Sequence, residues 1–230
     1  MSIRDNILRV QERLENACAR AGRKPEEITV VAVSKTVTAK EVIEAKDCGL
    51  THFAENRVQK LLEKQETEEL KYPKVDWHLI GHLQTNKVKY IMDKVSLIHS
   101  MDSIHLAEEI NRQAEKNNMI MPVLLEMNIS GEESKYGLAP ELLDDFMEKF
   151  VDFKNLKLKG FMTMAPLASD EKMQHEIFAK IHNIYVDMAK QTIYNVDIST
   201  LSMGMSMDFE SAIEEGSTMV RIGTDIFKAI

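Results

Sequence analysis

The chain has 230 residues, 44% of them hydrophobic, with a formal net charge of −8. That is enough apolar material for one sizeable core, and the acidic balance speaks against a nucleic-acid binder, whose footprint would be a basic patch. Its N-terminus, MSIRDNILRVQERL, lacks the apolar core of a secretory signal, and no apolar run approaches membrane-spanning length, so a soluble, cytoplasmic protein is expected.

Residues 2–21 predict an amphipathic helix with Ile3, Ile7, Val10, Leu14, Ala17 and Ala21 on one face and Gly22 at its end. A first strand follows over 28–33, and Thr38 with Glu41 forms a capping box that opens a helix stopping at Gly49. Further strands are predicted at 51–56, 76–82, 96–101, 122–129, 156–162, 197–204 and 218–223. Helices alternate with them at 57–70, near 85–92, from Ile104 to Ala114, through Leu142 to Phe150, through Met173 to Met188 and at 209–215. Regular strand–helix alternation implies a parallel α/β sheet. Eight such units match a closed (β/α)8 barrel, a TIM barrel, with an open doubly wound sheet as the alternative. No domain boundary is evident, so residues 1–230 are expected to form a single domain. Cys18 and Cys48 show no metal or redox spacing and are expected to be buried.

Lys35 is the residue most suggestive of chemistry. It follows an apolar, β-branched run at the carboxyl end of the first strand, where barrels keep their reactive groups. There it is expected to be partly desolvated and free to condense with a carbonyl compound. The loops after strands seven and eight, Ser202 to Ser206 and Gly223-Thr224, offer hydroxyls and glycines suited to a phosphate. Such residues usually just make turns, but two such loops opposite a reactive lysine point to pyridoxal 5′-phosphate.

Arg221 sits inside the apolar eighth strand, either paired with a carboxylate or donating to a pyridine nitrogen. Asn56, rather than Glu55, is the expected hydrogen-bonding residue at the end of strand two. His78 and His82 are four apart, but on a strand and loop that spacing does not make a metal site. His175 and His182 are expected to be solvated. Glu132, Glu133 and Lys135 form an exposed charged loop near the ligand or in solvent.

These residues lie in stretches that resemble the YggS/PROSC-like family, the pyridoxal phosphate homeostasis proteins: VAVSKT, HFAENRVQ, WHLIGHLQTNK, NISGEESKYGL, GFMTMAP, LSMGMSMDFESAI and GSTMVRIGTDIF. The matches run in order from Val31 to Phe227. The family is similar to the N-terminal barrel of alanine racemase. The resemblance implies a Schiff base of the cofactor on Lys35 and Arg221 at the pyridine nitrogen. It also implies Ser202, Ser206, Gly223 and Thr224 around the phosphate and Asn56 in the same pocket. It leaves the two serines undecided.

Two departures stand out. The chain ends Phe227-Lys228-Ala229-Ile230 instead of on the family's usual FG and arginine, and it has no room for the β domain that gives alanine racemase its catalytic tyrosine. Racemisation needs acid–base groups on both faces of a carbanion, and Tyr136 is the only tyrosine in a ligand-facing candidate position. The expectation is a non-catalytic, monomeric carrier of pyridoxal 5′-phosphate that acts in vitamin B6 homeostasis and hands cofactor to apo-enzymes. The alternatives are a cofactor-dependent amino-acid racemase and a cofactor-free Schiff-base aldolase.

Overall fold

The computed structural model describes residues 2–132, 136–166 and 169–228. Eight parallel strands pair in chain order and close into a barrel, β8 returning to β1. They are β1 (Thr29–Val33), β2 (His52–Glu55), β3 (Asp76–Leu79), β4 (Leu97–Met101), β5 (Met121–Glu126), β6 (Leu156–Met162), β7 (Val196–Ser202) and β8 (Met219–Ile222). The expected closed barrel is therefore present; β6 matches its predicted bounds and the other strands are shorter than predicted. β3, for example, stops at Leu79 because Gly81 runs against the carbonyl of Asn56, where any Cβ would collide.

The helices are α1 (Ile3–Arg20), α2 (Ala39–Asp47), α3 (Val58–Gln65), α4 (Thr85–Val88), α5 (Ile104–Lys116), α6 (Leu143–Phe150), α7 (Glu171–Ala189), α8 (Phe209–Glu214) and α9 (Thr224–Phe227). The helix expected over 57–70 ends at Gln65 and resumes as a 3-10 turn at Glu68–Leu70. The stretch near 85–92 is one helical turn, yet Ile91 and Met92 still reach the core. α1 precedes the barrel, capped by the reciprocal Ser2–Asp5 box, and packs on α8 and α9. Its Asn6 side chain donates to the carbonyls of Ile226 (3.0 Å) and Lys228 (3.1 Å).

Strand alternation divides the apolar residues into two layers. Phe53, Trp77, Ile98, Phe161 and Ile222 face outward into the helices. Val31, Val33, Ala54, Leu97, Leu124, Met162 and Met219 line the lumen. Burying each such side chain contributes about 1.5–3 kcal/mol, so the outer layer supplies most of the stability. Gly160 marks a break in register between β6 and both neighbours. Its φ of +145° is open to glycine, and a Cβ would strike the Thr200 carbonyl. Cys18 is buried, but Cys48, expected to be buried, is only half-buried because it caps the end of α2.

Candidate functional site at the barrel mouth

The inner register of each strand, continued one step beyond its carboxyl end, brings the predicted residues to one mouth. Val31 and Val33 lead to Lys35, Ala54 to Asn56, and Met219 and Arg221 to Gly223. Lys35 is exposed, not desolvated by the strand below it as expected, because β1 ends two residues earlier at Val33. Among the described residues the buried lysine is instead Lys64 on α3. Its ammonium donates to the Ser34 carbonyl (2.6 Å) and to the Glu55 carboxylate, which also accepts from Ser34 Oγ (2.7 Å). All three groups lie out of solvent, so the residue before Lys35 is clamped by a buried ion pair. Glu55 thus faces away from the lumen, and Asn56 alone takes the inner position. The signal for Lys64 was its spacing: Val58, Leu61, Lys64 and Gln65 share one helix face.

Arg221 lies inside the lumen. Nη1 donates to the carbonyl (2.8 Å) and hydroxyl (2.6 Å) of Ser202, and Nη2 to the Thr163 carbonyl (2.9 Å). Among the described residues no carboxylate is within ion-pair distance of it. Burial lowers its pKa to about 10, against the opposing pull of Asp208 and Glu126, so it remains a cation at neutral pH.

Ser202, one of the two serines in question for the phosphate, is fully buried in the lumen as the partner of Arg221. It extends β7 inward and does not reach the loop. Ser206 sits on the loop beside the end of β8, and its Oγ accepts from the Asp225 N–H (3.4 Å). That loop is shaped by Gly204, whose φ is +93° and whose Cβ would lie 2.6 Å from Ala212 Cβ. Asp208 accepts the Met205 N–H (2.6 Å), and Arg221 N–H donates to the Gly204 carbonyl (3.0 Å). Gly223 leaves a crevice between the ends of β8 and β1, since a Cβ there would stand 3.0 Å from the Val33 carbonyl. Among the described residues no backbone carbonyl accepts the N–H groups of Ser206, Gly223 and Thr224. From outside, Arg13 of α1 binds both loops, donating to Ser206 O (3.4 Å) and pairing with Asp225 (2.5 Å) and Glu210 (2.7 Å).

Two features of the mouth and of the lumen beneath it escaped the sequence reading. Glu126 ends β5 on the inner face, 4% exposed. Burial, reinforced by Asp102 and opposed by Arg221, pushes its pKa up to about 7. The second is a string of histidines in the lumen, His52, His78 and His99. A glutamate closing the apolar run Val123 to Leu125, and histidines at inner positions of three successive strands, were the available signals.

The remaining candidates fall elsewhere. His78 bonds to its neighbouring histidines, whereas His82 stacks on Tyr136 with ring centroids 4.0 Å apart. Among the described residues there is no cluster of three or more metal-type ligands. His175, expected to be solvated, is half-buried and bonded to Glu215 (2.8 Å). His182 is half-buried too, against Gly216. Glu132 is exposed; Glu133, Lys135, Ala229 and Ile230 lie outside the described residues. No helix among the described residues is long and apolar enough to cross a membrane.

This architecture has known counterparts. Residues 2–230 match the family model for the alanine racemase N-terminal domain. A pyridoxal phosphate homeostasis protein of Aquifex aeolicus is 45% identical over 227 residues, covering 99% of this chain and 98% of its own. The structure of PipY from Synechococcus elongatus with PLP bound superposes with a TM-score of 0.82 at 31% identity, covering 95% of this chain and 100% of that one. Alanine racemase of Clostridium difficile shares the fold, with a TM-score of 0.73 at 14% identity, this chain spanning 57% of its length. The chain belongs to the alanine racemase N-terminal-domain family, among the pyridoxal phosphate homeostasis proteins.

Proposed function

We propose that this protein binds pyridoxal 5′-phosphate at the carboxyl-terminal mouth of its barrel and serves in the homeostasis of that cofactor. The observation that carries the proposal is the convergence of an exposed amine on Lys35, a buried guanidinium on Arg221 and a cradle at Ser206, Gly223 and Thr224 on a single mouth. The donor set fits the group. The cradle presents a hydroxyl, N–H groups with no backbone acceptor among the described residues and a crevice that a Cβ would fill, all suited to a phosphate ester. The cofactor supplies an aldehyde that a lysine amine takes up reversibly as a Schiff base, with release of water.

The protein's residues then have separate tasks. Lys35 holds the covalent link, on a backbone anchored by the Ser34–Glu55–Lys64 cluster. Arg221 faces the ring nitrogen. A guanidinium does not give up its proton, so it leaves that nitrogen unprotonated and the ring a weak electron sink. Asn56, half-buried and with no side-chain hydrogen bond among the described residues, completes the pocket. Ser202 supports Arg221, and Ser206 takes the phosphate. Because Lys35 and Thr224 are exposed, the cofactor can enter and leave from solvent. That suits a monomeric cytoplasmic carrier serving apo-enzymes more than an enzyme that must exclude water.

One observation favours a catalytic reading. Glu126 titrates near neutrality at the mouth, in the range useful to a general acid or base. Absorbance after incubation with the cofactor, followed by borohydride reduction and mass spectrometry, tests the main proposal. A visible band and a reduced adduct on Lys35, both absent in Lys35→Ala, are expected. A wild type that stays colourless would overturn it in favour of a cofactor-free lyase. Turnover of D- or L-alanine that disappears in both Lys35→Ala and Glu126→Gln would establish the racemase reading instead.

A further inference from the structure

Five polar side chains cross the lumen in contact. His52 Nδ1 lies 3.1 Å from His78 Nε2, His78 Nδ1 lies 2.8 Å from His99 Nε2, and His99 Nδ1 lies 3.1 Å from Ser202 Oγ. Ser202 Oγ then accepts from Arg221 at 2.6 Å. The string starts at the amino-terminal end of β2, where His52 is partly exposed near Asp76 at 4.0 Å. It runs through β3 to β4 and spans the lumen to β7 and β8.

We propose that His99 is a positioning residue for Arg221: through the Ser202 hydroxyl, the histidine string fixes the guanidinium in one orientation at the floor of the mouth. This rests on the reading of Arg221 as the residue that meets the cofactor ring.

Donors and acceptors along the string match in one direction only. Arginine has donors only, so Ser202 Oγ must accept from Arg221. The single hydroxyl hydrogen of Ser202 is left for its other partner, His99 Nδ1, which must be bare. His99 then carries its proton on Nε2 and donates to His78 Nδ1, and His78 Nε2–H donates in turn to His52 Nδ1. Burial keeps His78 neutral, with its pKa near 3, and holds His99 well below the usual histidine range. Each therefore has one donor and one acceptor, and each is used once. The opposite polarity would aim two N–H donors at Ser202 Oγ and leave its own hydrogen without an acceptor among the described residues. A buried polar group in that state is costly.

The same asymmetry decides what the string does. Arg221 has no lone pair to receive a proton, so the string cannot deliver one to the mouth. It can set where the guanidinium points. The contacts to Ser202 and Thr163 use three of the five N–H donors and leave two for a ligand. If Ser202 lost His99, its hydroxyl could rotate and turn its hydrogen toward Arg221.

Nitrogen-15 NMR of histidine-labelled protein without cofactor reads the tautomers directly. His78 and His99 are expected to be protonated on Nε2 and bare on Nδ1 from about pH 5 to 8; a proton on Nδ1 of His99 would overturn the proposal. In the cofactor-loaded protein, His99→Leu is expected to shift the visible band and weaken binding about tenfold. His99→Asn, whose carbonyl can replace Nδ1 as acceptor, should restore both. A folded His99→Leu protein with unchanged band and affinity would also overturn it. Ser202→Ala offers a second route should His99→Leu not fold. It should reproduce the same spectral shift, and Ser202→Ala with His99→Leu, where that protein folds, should be no worse than Ser202→Ala alone, since both act through one hydroxyl. Additive losses would count against the proposal. A wild type that binds no cofactor would defeat the proposed function, while the tautomers would still test the string.

Discussion

Glu126→Gln should make this protein more stable at neutral and alkaline pH. The carboxyl is 4% exposed, and its pKa rises from the ordinary 4.5 to about 7, chiefly through burial and secondarily through Asp102. Because the folded pKa is the higher one, the folded state holds the proton more tightly. Stability is greatest below 4.5, falls as pH rises through the interval, and bears the full cost above about 7. At roughly 1.36 kcal/mol per pH unit, the shift amounts to about 3 kcal/mol. Glutamine keeps the shape and removes the charge. Urea unfolding of the cofactor-free proteins at about pH 4.5 and about pH 8 should therefore give curves close together in acid, with the variant about 3 kcal/mol more stable in base. Taking the difference between the two proteins cancels the titration of every other group they share. A gap that does not change with pH, or a variant less stable at about pH 8, would show that Glu126 is not held as a buried acid.

His78 predicts the opposite limb of the curve. Its folded pKa of about 3 lies below the ordinary 6.5, so stability is lost as pH falls between those values, by several kcal/mol. In His78→Gln the acid slope of the unfolding free energy should flatten, and an unchanged slope would contradict the buried neutral ring. Lys64→Met leaves the Glu55 carboxylate buried without its cation, with one oxygen already lacking a partner among the described residues, and should cost about 3–5 kcal/mol in denaturant unfolding. Adding Glu55→Gln to Lys64→Met should recover much of that loss. Gly160→Ala forces a φ of +145° on a residue with a Cβ aimed at the Thr200 carbonyl. A loss of about 4 kcal/mol or more is expected from thermal unfolding, and a well-folded variant would mean that the bulge is not where β6 places it.

The barrel was legible in the sequence because alternation of apolar strands and amphipathic helices is a local pattern, read one element at a time. Lys35, Arg221 and Gly223 were legible for the same reason: each stands at or near the carboxyl end of a recognisable strand. What local pattern cannot supply is register. His52, His78 and His99 are unremarkable separately, and become a string only when β2, β3 and β4 pair so that all three face inward. Ser202 and Ser206 look alike in the run from Ser202 to Ser206. They part company because β7 continues through Ser202, committing it to the lumen, while the chain turns at Gly204 and carries Ser206 to the loop. The burial expected of Lys35 failed for a related reason. A strand end reads as buried in sequence, but the last strand residue here is Val33, and the lysine lies beyond the hydrogen-bonded sheet.

The lumen also explains how a chain with a net charge of −8 can keep a buried cation at the floor of its mouth. Surface charges act through water and are screened within about 10 Å at ordinary salt. Arg221 acts from among Val31, Leu124, Met162 and Met219, where little water intervenes. Its direct partners, Ser202 and Thr163, are neutral oxygens that stabilise the cation without cancelling it. Glu126 and Asp208, the carboxylates that feel its field, are both buried, and burial pushes both of their pKa values up. Among the described residues neither comes within ion-pair distance of the guanidinium, whose side-chain hydrogen bonds go to Ser202 and Thr163. A carboxylate in contact would have made Arg221 easier to bury but would have neutralised it toward a ligand. Neutral histidines behind Ser202 achieve the burial without that neutralisation, which is why one polar line crosses the apolar layer of this barrel's interior.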